Sequence, residues 1–224
     1  MKTIGKTGIL PPSLPNGLSP AVIETLEERA EVSQVLLERP DFAEADAVGV
    51  LFEQALLRHA GFFGARLERL RLFDCRLEEC EFSGANLEQV RMRRVELLGC
   101  RMMGANLGEG SCEDVRFVDC NLEGAIFSQA VFKAARFEQC ILKAVSFEGA
   151  DLGGMAFDRC DLTRADLRGT RLKGADFSSA TIDGMQVAPA DVVGAIFATH
   201  QALQVVGLLG VVIKESHWVD SPQG

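Results

Sequence analysis

Large apolar residues recur at every fifth position along most of the chain. In the stretch CDLTRADLRGTRLKGADFSSA, residues 160 to 180, they are Leu162, Leu167, Leu172 and Phe177. A helix turns about 100° per residue, so a step of five scatters such positions around its axis. A straight strand has a period of two, so a step of five changes face each time. A five-residue beat therefore predicts a chain that bends once per beat. From Phe62 to Val187 the register holds 26 positions, and 25 are Leu, Phe, Met, Ile or Val; the exception is Cys112. Extending the register outward adds Phe42, Phe52, Leu57, Val192 and Phe197, so that 12 of the 14 phenylalanines lie on it.

A second beat runs two residues earlier. From Ala60 to Met185 it also has 26 positions, and 21 of them are Ala, Cys or Val. Residues two apart in an extended segment share a side. Each pentad is thus read as a short extended piece with one small and one large residue inward, and a polar corner. Gly84, Gly104, Gly124, Gly169 and Gly174 sit at that corner, where a positive φ suits glycine. The expected core includes Phe82, Phe117, Phe127, Phe132, Phe137, Phe147, Phe157, Phe177, Leu162 and Leu167.

Cysteines suggest how many pentads close one turn. Cys80, Cys100, Cys120, Cys140 and Cys160 are spaced by twenty. A coil of four pentads stacks them on one side of a square tube. With coils about 4.8 Å apart, the 26 dense pentads form six and a half coils, roughly 31 Å long. None of the seven prolines lies between residues 41 and 188, as a stacked coil that needs its backbone donors requires.

The pentads ANLEQ, ANLGE, CNLEG, ADLGG, CDLTR, ADLRG and ADFSS resemble the A-(D/N)-L-x-x motif of pentapeptide-repeat proteins. The resemblance implies an all-β solenoid, a right-handed quadrilateral β-helix, with four pentads per coil. It covers roughly residues 30 to 198 and is densest over 60–189. GSCED at 110 and VRMRR at 90 depart from the motif.

A solenoid exposes strand edges at both ends and needs caps. Residues 1–18 read as a flexible arm. Ser19 and Pro20 before AVIETLEER read as the N-cap and first position of a capping helix over 19–29. The 22 uncharged residues 192–213 are long enough for a membrane span. His200, Gln201, Gln204 and three glycines favour a last solenoid turn followed by a helix and short strand over 199–213, with a tail over 214–224. Ala202, Leu203, Val206 and Leu209 would share one apolar face of that helix. Two uses stay open for it: capping its own tube, or pairing with a second copy, as C-terminal modules do in several members of the family it resembles.

Composition and charge narrow the function. The chain is 47% hydrophobic and 25% charged, which suits a folded domain. A net charge of -9 argues against direct nucleic-acid binding. The first 17 residues lack the apolar run of a signal peptide, so a cytoplasmic location with reduced thiols is expected. The cysteine column has no CxxC and no histidine beside it, so it reads as packing rather than a metal or redox site. The three histidines, His59, His200 and His217, are far apart in sequence. No nucleophile–base–acid set or phosphate-binding loop is visible, so no enzyme activity and no cofactor are expected.

The charges are unevenly spread. Residues 24–53 hold nine acids and two arginines. The column of pentads through Leu72, Met92, Cys112, Phe132, Leu152 and Leu172 holds seven cations against four acids. Arg91, Arg93, Arg94, Lys133, Arg171 and Lys173 on it form a candidate face for an acidic protein partner. The resemblance adds an alternative, because some pentapeptide-repeat proteins mimic a DNA duplex and bind gyrase. Net acidity favours that alternative, and the basic column weakens it.

Overall fold

A computed structural model describes residues 8–208, 210–212 and 214. The chain is an all-β solenoid of about seven turns with one short C-terminal helix. Ten strands form one parallel sheet system: β1 (Ser19–Ala21), β2 (Glu31–Ser33), β3 (Val35–Glu38), β4 (Leu51–Glu53), β5 (Leu56–Arg58), β6 (Arg71–Glu78), β7 (Arg91–Leu98), β8 (Ser111–Val118), β9 (Val131–Glu138) and β10 (Ala156–Asp158). The central register is twenty residues, as in Leu72↔Met92↔Cys112↔Phe132. Residues 30–59 already keep it, with Val32 opposite Phe52 and Asp41 opposite Gly61.

The five-residue beat has two structural solutions. On the two faces through Phe62 and Leu67, each pentad makes one bridge and a turn, closed by bonds such as Ala65 N to Phe62 O at 3.1 Å. On the two faces through Leu72 and Leu77, the four central coils run as eight-residue strands β6 to β9. Each bends at one residue with positive φ: Asp74, Arg94, Asp114 or Ala134. From residue 151 onward these faces also turn, with Gly154 and Gly174 at the corners and Met155 N bonded to Leu152 O at 3.1 Å.

The corner is therefore not reserved for glycine. Among the described residues, twenty non-glycine residues have φ between 51° and 60°. A left-handed L-residue costs about 1–2 kcal/mol. Here the amide of the corner residue is bonded to the next coil, as Arg69 N to Glu88 O at 2.8 Å, and the stack holds the strained corner in place.

Large and small columns fill the tube. The phenylalanines and leucines expected in the core are buried, from 0% exposure at Phe137 to 5% at Phe132. On one face Phe117, Phe137, Phe157, Phe177 and Phe197 stack in succession, with centroids 4.6, 5.6, 4.9 and 5.3 Å apart. The small column leaves the walls close enough for the coils to hydrogen-bond around these rings.

The ends differ from expectation. There is no helix over residues 19–29. Instead β1 pairs with β3 in a register of sixteen, Ser19↔Val35, and Leu26 turns inward as part of a shortened first coil. A lone helix of this length is marginal, whereas the edge of β3 offers ready backbone partners. Pro20 is tolerated because β1 is an edge strand. At the other end, a 3₁₀ turn, Thr199–Gln201, leads into helix α1 (Ala202–Leu208). Gly210 follows with φ 75°, a conformation that suits glycine beyond a helix C-terminus. Residues 211 and 212 form no strand. The side that meets the tube is Gln201, Val205 and Leu208; of the apolar face read for capping or for pairing with a second copy, Val206 is half-buried. Ala202 and Leu203 are exposed, Leu203 at 69%, and Leu209 lies outside the described residues. Among the described residues no helix is long and apolar enough to cross a membrane.

Candidate interaction surface

The six candidate cations, out of the seven in the basic column, lie on one side of the tube, but their charges are unequally available. Arg94 is tied to Asp74, its Nε donating to Oδ1 at 2.6 Å and its Nη2 to Oδ2. Lys133 donates to Glu113 at 3.0 Å, and Arg171 lies 3.5 Å from Asp151. Each of these pairs joins residues twenty apart, that is, neighbouring coils. Arg93 lies over the Phe73 ring at 5.1 Å, a cation–π contact that leaves its charge uncompensated. Among the described residues, Arg91, Arg93 and Lys173 make no ion pair with a carboxylate, and all three are exposed. The open part of this face is therefore Arg91, Arg93 and Lys173.

A proline-rich strap borders this face. Residues 8–18, expected to be a free arm, run along the corner column that holds Asp74 and Asp114; residues 1–7 lie outside the described residues. Leu10 N donates to Asp114 Oδ1 at 3.1 Å, Ser13 N donates to Asp74 Oδ1 at 2.9 Å, and Gln54 Nε2 donates to Ser13 O at 3.3 Å. Asp74 and Asp114 are two coils apart, about 9.6 Å at strand spacing. Three residues of polyproline II helix rise about 9.3 Å, so Pro11 and Pro12 set a segment of matching length. Asp74 is only 5% exposed. Burial alone would raise its pKa, but bonds from Arg94 and Ser13 outweigh that and hold the carboxyl below its usual range.

The next face carries a second charged ladder. Arg76 Nε donates to Glu96 at 2.9 Å, and Arg116 bridges Glu96 and Glu138, at 3.1 Å to each. Glu96 is 7% exposed and is satisfied from both sides. This ladder neutralises itself and braces β6 to β9.

The seven cysteines are free thiols, all buried. Cys80, Cys100, Cys120 and Cys140 each donate to a carbonyl of the coil beneath, at 3.4 to 3.6 Å. Burial pushes the Cys75 and Cys112 thiols up to about 12. At these two positions burial therefore favours the neutral thiol. His59 Nδ1 lies 3.4 Å from Glu79 on the surface, His200 is exposed at the far end of the tube, and His217 lies outside the described residues. Among the described residues no cluster of three or more His, Cys, Asp or Glu is arranged to hold a metal.

Two family models match this chain: Pentapeptide repeat region over residues 70–147, and Pentapeptide repeats (8 copies) over residues 140–178. The chain belongs to the pentapeptide-repeat family. No curated protein matches it. Among solved structures it is similar to HetL, a pentapeptide repeat protein involved in heterocyst differentiation regulation from the cyanobacterium Nostoc sp. strain PCC 7120. That match has 20% identity, covers 78% of this chain and 86% of HetL, and has a TM-score of 0.49. A trypsin-treated form of QnrB1, a plasmid-mediated fluoroquinolone resistance protein, matches at 19% identity over 87% of this chain and 96% of its own, with a TM-score of 0.40. Rfr23 from the cyanobacterium Cyanothece 51142 matches at 18% identity over 50% of this chain and 63% of its own, with a TM-score of 0.31.

Proposed function

We propose that this pentapeptide-repeat protein is a non-enzymatic scaffold that binds an acidic protein partner through its basic face. The observation that carries this reading is the open cationic strip of Arg91, Arg93 and Lys173. These exposed side chains stand on a wall whose coils are locked in register, with no internal carboxylate partner among the described residues. A charge held on a rigid wall loses little freedom when a partner arrives, which favours recognition. A rim of uncompensated cations also speeds encounter with an acidic surface. The test is affinity capture from a native lysate with the wild-type protein and with Arg91→Glu combined with Arg93→Glu. The scaffold reading expects captured acidic proteins to be lost with the double variant. An unchanged set of partners contradicts it.

A second reading, mimicry of DNA toward gyrase, is favoured by the acids of residues 24–53. Eight of these nine side chains are exposed around the first coils, and Glu53 is half-buried. The scaffold reading is preferred because a duplex mimic should carry negative charge along the whole rod. A gyrase supercoiling assay separates the two. Inhibition by the purified protein that is abolished by neutralising Glu38, Asp41 and Glu44 supports mimicry, and no inhibition removes it.

A further inference from the structure

We propose that a notch at the edge of the basic face, lined by Arg29, Arg69, Arg71 and Arg91, binds a small molecule carrying a diphosphate group. The notch has a volume of about 540 Å³, and its remaining lining is Gly49 and Gln89. That is the size range of small-molecule sites, about 300–1,000 Å³.

The solenoid register assembles it from distant sequence. Arg29, Gly49, Arg69 and Gln89 follow one another at intervals of twenty in one corner column. Arg71 and Arg91 are direct partners in the adjoining ladder. Gly49, at φ +74°, carries no side chain between Arg29 and Arg69. Those two arginines are two coils apart, about 9.6 Å between their backbones. A Cβ at Gly49 would lie 3.6 Å from Arg29 Cγ, so a larger side chain there would crowd the notch.

Two of the four guanidiniums are oriented by neutral groups. Arg71 Nη2 donates to Gly49 O at 3.1 Å, and Arg69 Nε donates to Gln89 Oε1 at 3.1 Å. Such bonds fix the fork without cancelling its charge. The nearest carboxylate contact is Glu31, 3.9 Å from Arg71 and itself 72% exposed, a weak solvent-screened pair. Of the adjacent acids, Glu68 accepts from Asn86 at 2.9 Å and Glu109 from the lining residue Gln89 at 2.9 Å, and among the described residues neither forms an ion pair with the four arginines. Among the described residues Arg29 and Arg91 make no ion pair with a carboxylate.

Like charges directly opposite in a ladder destabilise it. Neighbouring rows on the tube show the opposite arrangement, Arg94 on Asp74 and Lys133 on Glu113. Stacking Arg71 on Arg91 beside two further arginines is a local cost that a bound polyanion removes. Arginine forks match phosphate oxygens in bidentate geometry, and four converging forks suit two linked phosphate groups better than one carboxylate.

Inorganic pyrophosphate is the probe. Isothermal titration of the purified full chain should give saturable binding that weakens as salt rises. Arg69→Glu combined with Arg91→Glu should weaken it by about tenfold or more, since charge-assisted bonds are lost and repulsion is added. Arg164→Glu, on an exposed corner elsewhere on the tube, should leave the affinity unchanged. No binding of pyrophosphate to the wild type overturns the proposal. So does equal weakening by Arg164→Glu, which would mean diffuse charge attraction rather than a site. The assay needs no protein partner, so its outcome is independent of the scaffold reading.

Discussion

Replacing Phe137 by alanine removes the centre of the aromatic column. The ring is fully buried, with Phe117 and Phe157 stacked on its two sides at 4.6 and 5.6 Å. Phe127, Phe132 and Phe147 meet it edge-on, each at 6.0 Å. A buried Phe→Ala change costs about 3–5 kcal/mol through lost transfer energy and the cavity left behind. Two circumstances place this site in the upper half of that range. The two stacked partners lose contacts worth about 0.5–1.5 kcal/mol each beyond burial. The wall also has little freedom to close the gap, because β9 is hydrogen-bonded to β8 on one side and β10 on the other. Domain stability is about 5–15 kcal/mol, so the loss is a large share of the whole. Urea denaturation followed by circular dichroism measures it. Phe137→Leu, which keeps more of the volume but still loses both ring stacks, should lose less than Phe137→Ala. A loss under ~1 kcal/mol for Phe137→Ala would refute the packing account, since it would mean that the ring fills no tightly packed layer.

Two other changes probe the ends and the strap. Asp74→Asn weakens the hold on Ser13 N and leaves Arg94 without its counter-charge; limited proteolysis should cut faster within residues 8–18, and unchanged cleavage would contradict the docked strap. The same carboxylate sets a pH dependence: its pKa is lowered on folding, so its contribution is present above the unfolded value of about 3.9 and is lost as pH falls through the lower folded value. Strap protection should therefore persist at neutral pH and disappear only in acid below about pH 4. Gln201→Ala removes the side chain that caps the last coil, whose Nε2 donates to Phe177 O at 2.9 Å and Ala180 O at 2.8 Å while its Oε1 accepts from Ala198 N at 2.7 Å. Two carbonyls and one amide lose their partner, and thermal or urea unfolding should report a loss of about 1–3 kcal/mol, with no loss showing that Gln201 does not cap the last coil.

The interior of this protein is legible from its sequence because one physical requirement repeats. Each layer of the tube needs a large residue at the axis and a small one at the wall, and the chain supplies both on a five-residue beat. The twenty-residue cysteine column reveals the coil length because stacked side chains share one environment. The ends are less legible because they break the beat. At position 27 the register falls on Glu27, and the fold turns Leu26 inward instead, so the first coil looked like a helix. The strap was hidden because Asp74 and Asp114 read as ordinary corner residues until the proline segment lies across them. Column charge overstated the basic face, since Arg94, Lys133 and Arg171 are each paired with an acid one coil away. That pairing was visible at a spacing of twenty, as was the like-charge stack of Arg71 on Arg91. At the C-terminal end the hydrophobic spacing left two uses open for one apolar face, and the buried amide of Gln201, in the turn before α1, anchors a different side to the last coil.

The most direct test of the scaffold account is arginine footprinting with phenylglyoxal, read by mass spectrometry, on the free protein and on the complex captured from lysate. The account predicts that Arg91 and Arg93 react in the free protein and are protected in the complex, while Arg164 reacts equally in both. Protection confined to Arg29 and Arg39 of the acidic first coils, with Arg91 and Arg93 still fully reactive, would contradict it.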